Sequence, residues 1–144
     1  MKTRYTSLVS VKKNMMQKSE QALQSANSNL NSALMALEIS LDELGELHTP
    51  KSGQISDFLS HRSLLDSQRV VINHNQEWVA FARNEIDQAK EQLKIDTIEF
   101  EKFNYLELQE IKEILQKRKI QEAKDLDEIA LMTYERNSQK KENL

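Results

Sequence analysis

The sequence predicts an all-α protein in which two long helices form an antiparallel coiled-coil hairpin. The single proline and both glycines of the 144-residue chain fall within the window from Gly45 to Gly53, so strong helix breakers are confined to one short segment. On both sides of this window apolar residues recur every seven positions, which is the sequence form of a coiled coil. The series runs through Val9, Met16, Leu23, Leu30, Leu37 and Leu44 before the window, and through Phe58, Leu65, Ile72, Val79, Ile86, Leu93 and Phe100 after it.

Helix 1 is predicted from about residue 3 to about residue 47. Thr3 or Thr6 can serve as its N-cap, because a threonine hydroxyl accepts a hydrogen bond from an unpaired amide of the first turn. The line along which the two helices touch, called the seam below, has a second seven-residue series of small or polar residues. Its members are Lys12, Ser19, Ala26, Ala33 and Ser40. Small residues on the seam allow the partner helix to approach closely.

The connection between the helices is predicted at residues 48–55. Gly45 weakens the end of helix 1, and Pro50 disfavours a helical backbone at Thr49. Gly53 then permits a backbone conformation with positive φ, which other residues rarely adopt. The chain therefore turns back over a few residues, as a hairpin requires.

Helix 2 is predicted from about residue 56 to about residue 137, followed by a frayed tail at residues 138–144. Ser56 is the expected N-cap, and Asp57 is favourably placed against the positive end of the helix dipole. The whole chain, residues 1–144, is thus predicted to be a single coiled-coil hairpin domain whose second helix is the longer one.

The second helix is expected to extend beyond the hairpin. Its regular repeat ends at Phe100, where helix 1 runs out, and the following apolar residues change phase. These are Phe103, Leu106, Leu108, Ile111, Ile114 and Leu115. We therefore expect residues 104–138 to form an overhang without an intramolecular partner, and pairing with a second chain is the alternative. An uncovered apolar stripe of this kind usually marks an interface.

The composition argues against several classes of protein. A formal net charge of −3 does not suit binding to nucleic acid, because phosphate contacts need a cationic surface. The absence of cysteine rules out disulfides and gives no sign of an oxidising compartment. No apolar run approaches the ~20 residues of a membrane span. We expect a soluble cytoplasmic protein.

No arrangement of residues predicts catalysis or a cofactor. There is no cysteine nucleophile and no glycine-rich phosphate loop, and the three histidines are scattered, at His48, His61 and His74. Asp57 and His61 lie four residues apart, but a metal site would need a third ligand nearby. Trp78, beside the seam residue Val79, is interpreted as a flanking hydrophobic residue. We expect no enzymatic activity, no metal and no cofactor.

Residues 117–136 are dense in alternating charge and carry Leu126, Ile129 and Ala130 on one face. The residues alone leave two interpretations open. The first is a solvated helix held by local ion pairs such as Glu113–Lys117, which stabilise helices when four residues separate the charges. The second is a surface that binds a partner.

This segment resembles the signature of the flagellar FliJ family. That signature has an acidic residue, a lysine, an apolar residue, then Asp-Glu-apolar-Ala and a later arginine. Here it reads Glu122, Lys124, Leu126, Asp127, Glu128, Ile129, Ala130 and Arg136. The opening of the chain is also similar to that of the family, at Leu8, Val11, Lys12 and Lys13.

The resemblance implies a non-enzymatic component of the flagellar type III protein export apparatus. Family members are antiparallel coiled coils similar to the stalk subunit of rotary ATP synthases. The ends of the coil lie in the central hole of the export ATPase hexamer and promote its assembly and activity. The region nearer the turn contacts the cytoplasmic domain of the export gate, and some members bind export chaperones. Such a protein is cytoplasmic and associates with the cytoplasmic face of the inner membrane through the export apparatus.

On this resemblance, the candidate partner-binding residues lie in the charged segment. They are Lys117, Arg118, Lys119, Glu122, Lys124, Leu126, Asp127, Glu128, Ile129 and Arg136. The residues near the turn do not match the gate-contacting positions of the family closely enough to be assigned.

The alternative function is that of an export chaperone, or of a structural coiled-coil adaptor, that binds cargo along an apolar groove. The two functions predict different binding surfaces. A chaperone should bind cargo through the seam or the helix 1 face, whereas a stalk should bind a ring through residues 103–136.

Overall fold

The computed structural model describes residues 1–143 and contains two α-helices in that range. Helix α1 spans Thr6–Glu46 and helix α2 spans Ile55–Glu142. The predicted all-α hairpin with a longer second helix is confirmed. Helix α2 continues through residues 138–142, which the sequence predicted to be frayed, and Leu144 lies outside the described residues.

The start of α1 is held by the hydroxyls of Thr3 and Thr6, each of which accepts a hydrogen bond from a backbone amide. The Thr3 hydroxyl accepts a hydrogen bond from the Tyr5 amide at 3.1 Å, and the Thr6 hydroxyl accepts one from the Thr3 amide at 2.8 Å. These bonds satisfy amides that have no partner within the helix, and the bond from the Thr3 amide to the Thr6 side chain corresponds to the returning half of a capping box. Both predicted capping residues therefore take part, with Thr3 outside the helix and Thr6 in its first turn.

The start of α2 differs from the prediction. The helix begins at Ile55, so Gln54 is the N-cap and Ser56 lies inside the first turn. The cause is Asp57, whose Oδ2 accepts a hydrogen bond from the Gln54 amide at 3.1 Å. A carboxylate in the first turn that reaches back to the N-cap amide provides the reciprocal half of a capping box. The predicted role of Ser56 as the N-cap is wrong, whereas Asp57 is placed as expected against the helix dipole.

The two glycines of the chain, Gly45 and Gly53, have opposite structural roles, which gives a testable pair of variants. Gly53 has a φ of +146°, and a Cβ at this position would lie 2.6 Å from Asp57 Oδ2. Gly53→Ala is therefore expected to lower the free energy of unfolding by about 1–3 kcal/mol. Gly45 lies within α1, where an added Cβ would meet no other atom within 4 Å. Gly45→Ala should instead raise the free energy of unfolding, by up to about 1 kcal/mol.

Urea unfolding followed by circular dichroism measures both changes. Equal shifts in the same direction would show that the backbone conformation at Gly53 is not the determining factor.

Residues 13–98 form one of two compact units. Its core cluster consists of Ala33, Val79 and Ala82, with Leu30 and Leu37 packed against it. Four of the five small or polar residues predicted on the α1 seam are buried, namely Ser19, Ala26, Ala33 and Ser40. Because these side chains are short, α2 can approach α1 closely and cover them.

Polar side chains also lie on this seam and fix its register. The Asn75 amide group donates to the Ala36 carbonyl at 3.2 Å and to the Ser40 hydroxyl at 3.1 Å. The Ser19 hydroxyl donates to the buried Asp96, which also accepts a hydrogen bond from Gln92 at 3.1 Å. A shift of one helix along the other would break the contacts of Asn75 with Ser40 and of Ser19 with Asp96, so the polar pairs select one alignment.

The packed part of α2 begins later than the apolar repeat does. Phe58, the first member of the predicted series, is 41% exposed, and every residue from 51 to 60 is exposed. The series becomes half-buried at Leu65 and buried at Ile72, Val79 and Ile86. Phe58 therefore contributes little to the seam.

The other unit comprises residues 1–12 together with α2 from residue 99 onward. Thr6 Oγ1 donates to Glu107 Oε1 at 2.9 Å, and Arg4 Nε lies 3.4 Å from Glu110 Oε1. Residues 104–114 therefore do have an intramolecular partner, and the predicted start of the overhang at residue 104 is wrong. The seven-residue spacing continues from Phe100 through Glu107 to Ile114, so Ile114 does not change phase as predicted. Glu107 is a charged seam residue that an apolar pattern overlooks. The overhang begins at Leu115.

Candidate functional site

The predicted partner-binding residues all lie in the exposed part of α2. Every residue from 115 to 137 is exposed, and Leu126 and Ile129 are 66% and 59% exposed. A continuous helix with no covering element presents its side chains in all directions. The candidate residues therefore lie on one segment of α2 and face in different directions around the helix axis.

Two sides of this segment can be distinguished from the helical spacing. Glu122, Leu126 and Ile129 follow one another at intervals of four and three residues and share one side. Lys117, Lys124 and Glu128, at intervals of seven and four residues, share the opposite side. The segment therefore has one side that mixes apolar and charged residues and one side that mixes basic and acidic residues, both open to solvent.

The charged candidate residues are not paired with other charges in the part of the chain that the structure describes. Among the described residues, none of the charged candidates forms an ion pair, and the proposed local pair Glu113–Lys117 is not formed. The hydrogen bonds here are local, from Gln121 to Asp125 at 3.0 Å and from the Thr133 hydroxyl to the Ile129 carbonyl at 2.8 Å. The ionic groups are therefore free to meet an external partner.

A second exposed surface lies on α2 within residues 13–98. Val71, His74, Trp78 and Phe81 follow at intervals of three, four and three residues, so they share one side of the helix. Trp78 is 38% exposed and Phe81 is 62% exposed. A shallow cleft of about 450 Å³ is lined by His74, Glu77, Trp78 and Phe81. We call these five residues, Val71, His74, Glu77, Trp78 and Phe81, the aromatic patch.

The sequence interpretation missed the aromatic patch because it treated Trp78 only as a neighbour of the seam. The signal is nonetheless present, since two apolar members each precede a seam residue by one position: Val71 precedes Ile72, and Trp78 precedes Val79. A second stripe at helical spacing, displaced by one residue from the seam, indicates a second contact surface. Exposed aromatic residues are enriched in protein interfaces.

The described part of the chain contains neither a candidate metal site nor a membrane-spanning helix. Residues 1–143 bring no group of three or more histidine, aspartate or glutamate side chains close enough to hold a metal ion. Asp57, one half of the considered metal pair, accepts the Gln54 amide hydrogen bond instead. Over the described residues neither α1 nor α2 contains a stretch that is long and apolar enough to cross a membrane.

Comparison with known proteins adds a match at the level of a family. A family model described as "Flagellar FliJ protein" matches residues 1–139. No curated protein and no solved structure matches the chain significantly.

Proposed function

The chain belongs to the flagellar FliJ family and is thus a component of the flagellar export apparatus, and from this premise we propose that it is a coiled-coil stalk. In this proposal the stalk binds the ring of the export ATPase hexamer, promotes its assembly and activity, and links it to the cytoplasmic domain of the export gate. Association with the cytoplasmic face of the inner membrane follows from binding to the gate.

The observation that carries the ring contact is the exposed, unpaired segment of α2 at residues 115–137. A helix inside a ring is surrounded by repeated copies of the same surface. Charged side chains suit this position, because they can be satisfied in several rotational settings without one tight fit. The candidates around the segment, among them Lys117, Lys124 and Arg136, provide such contacts on every side of the helix.

The gate contact is supported by the aromatic patch. Exposed tryptophan and phenylalanine side chains beside a cleft are the usual centre of a protein interface, where a few aromatic residues provide most of the binding energy. The patch shares no residue with the charged segment at residues 117–136. One chain therefore has separate surfaces for two partners, as a linking protein needs.

The double variant Trp78→Ala/Phe81→Ala tests this division. It is expected to weaken binding to the purified cytoplasmic domain of the gate at least tenfold, because truncated aromatic anchors typically cost more than about 1–2 kcal/mol each. Stimulation of the purified export ATPase should remain unchanged. Both side chains are exposed, so the hairpin should keep its helical content.

Tyr105→Ala is the matched control, since Tyr105 is an aromatic residue of α2 outside the patch and is 61% exposed. It should leave gate binding intact. Equal gate binding by the double variant would remove the patch from the proposal. Failure of the unmodified chain to stimulate the ATPase would contradict the stalk function itself.

A second candidate function is that of an export chaperone or cargo-binding adaptor. The apolar cleft of the aromatic patch favours it, although this cleft lies on α2 and not on the predicted seam or helix 1 face. The same double variant distinguishes the two. If the chain is a chaperone, the double variant should bind an unfolded export substrate more weakly. If the chain is a stalk, the double variant should bind the gate domain more weakly, and even the unmodified chain should not bind the substrate.

A further inference from the structure

The two parts of the hairpin differ in how tightly they pack. In the described chain every buried residue lies between Ser19 and Asp96. Residues 1–12, called the strap below, pack against residues 99–114 with side chains that are at most half-buried. Local opening needs little free energy where few contacts are buried.

Three polar contacts join the strap to α2. Thr6 donates to Glu107 at 2.9 Å, and ion pairs connect Arg4 with Glu110 at 3.4 Å and Lys12 with Glu99 at 3.5 Å. The Arg4 side chain is 75% exposed, and ion pairs so open to water contribute little to stability.

Glu110 adds a cost to the closed state. Its Oε2 is buried and has no hydrogen-bond partner among the described residues. Such an oxygen has lost its hydrogen bonds to water and has gained none from the protein, which raises the free energy of the closed state. Release of the strap would return this oxygen to water. Its rehydration would then offset part of the free energy that opening costs.

An apolar face lies beneath the strap. Its half-buried members are Phe100, Phe103, Leu106, Ile111 and Ile114. The Lys12 amine covers the Phe103 ring at 5.7 Å from its centre. Since α2 is continuous, this face leads directly into Leu115 and the exposed segment that follows.

We propose that the strap is a detachable cover: it opens, and residues 99–114 then join residues 115–137 as one longer surface for the partner that surrounds α2. The identity of that partner as the export ATPase ring rests on the proposed function. The opening of the strap is a property of this chain alone.

A disulfide between positions 6 and 107 tests the proposal. The chain has no cysteine, so Thr6→Cys/Glu107→Cys introduces the only two thiols. The oxidised form is locked and the reduced form can open. The matched control, Ser40→Cys/Asn75→Cys, replaces another hydrogen-bonded pair that joins the two helices, within residues 13–98.

Ring binding should be at least tenfold weaker for the oxidised Thr6→Cys/Glu107→Cys chain than for the same chain after reduction. The control should bind equally in both states. Equal binding by the locked and reduced forms would show that the strap does not compete with the ring.

Amide hydrogen exchange gives a readout that needs no partner. In the unmodified chain, residues 99–114 should exchange at least tenfold faster than residues 72–86, and the disulfide should slow their exchange.

If the disulfide does not form, Arg4→Glu/Lys12→Glu should accelerate exchange at residues 99–114, whereas the exposed Lys13→Glu should not. Equal protection of the two segments in the unmodified chain would contradict the proposal that the strap opens. If no form binds the ring, the stalk function fails and the exchange result alone decides whether the strap opens.

Discussion

Replacement of Lys117, Arg118, Lys119 and Lys124 by alanine is expected to remove most of the stimulation of the partner ATPase and to leave the helical content unchanged. These side chains are exposed and form no ion pair within the described chain, so folding loses no contact. Alanine also has the highest helix propensity. Binding, in contrast, loses four positive charges, and its dependence on salt concentration should become weaker. ATPase turnover at several ionic strengths measures both effects.

A control with the same change in net charge separates position from total charge. Arg62, Arg83, Lys90 and Lys94 are exposed on α2 outside the segment, and their replacement by alanine should preserve stimulation. Leu126→Ala/Ile129→Ala tests the apolar side of the segment separately. If neither the basic nor the apolar set changes turnover or binding, residues 117–136 are only a solvated helix.

Ala33→Leu is expected to cause the largest loss of stability. Ala33 is 0% exposed and packs with Val79 and Ala82 at the closest part of the seam. A leucine side chain there has no space and must push the helices apart, which costs about 1–3 kcal/mol or more. The separation would also stretch the hydrogen bond from Asn75 to Ser40. The thermal midpoint should fall by roughly 5–15 °C, as measured by circular dichroism.

Ala22→Leu is the matched control, since Ala22 lies on the exposed side of α1. It should leave the midpoint within a few degrees of that of the unmodified chain. A similar midpoint for the two variants would mean that the seam is not closely packed at Ala33.

The hairpin itself follows from local signals in the sequence. Pro50 and Gly53 interrupt an otherwise continuous helical pattern. The seven-residue series on each side of them marks the face of each helix that lies on the seam. Ser19, Ala26, Ala33 and Ser40 are buried as predicted because period and side-chain size specify the same face. Finer features depend on which side chain reaches which group. The choice of Gln54 as N-cap depends on the Asp57 carboxylate, and the length of pairing depends on Glu107, a polar residue at an apolar position.

The candidate site was predictable only in part. The exposure of residues 117–136 follows from the absence of a partner helix beyond the start of α1, and the structure agrees with that expectation. Their role in binding stays a prediction. The sequence assigned Ile72 and Val79 to the seam correctly. The aromatic patch was missed because a residue that flanks a seam can be covered or exposed, and only the packed structure shows that Val71 and Trp78 stay exposed.

The seam of small and polar residues also determines how the hairpin responds to temperature. The buried apolar residues in the described chain are three alanines and three larger aliphatic residues: Ala26, Ala33, Ala82, Ile72, Val79 and Ile86. The heat-capacity change of unfolding grows with apolar area exposed and is reduced by polar area. Unfolding of this hairpin therefore has a small heat-capacity change for its chain length, and its stability curve is flat. Such a protein remains folded in the cold and loses its structure gradually, over a broad interval, when it is heated.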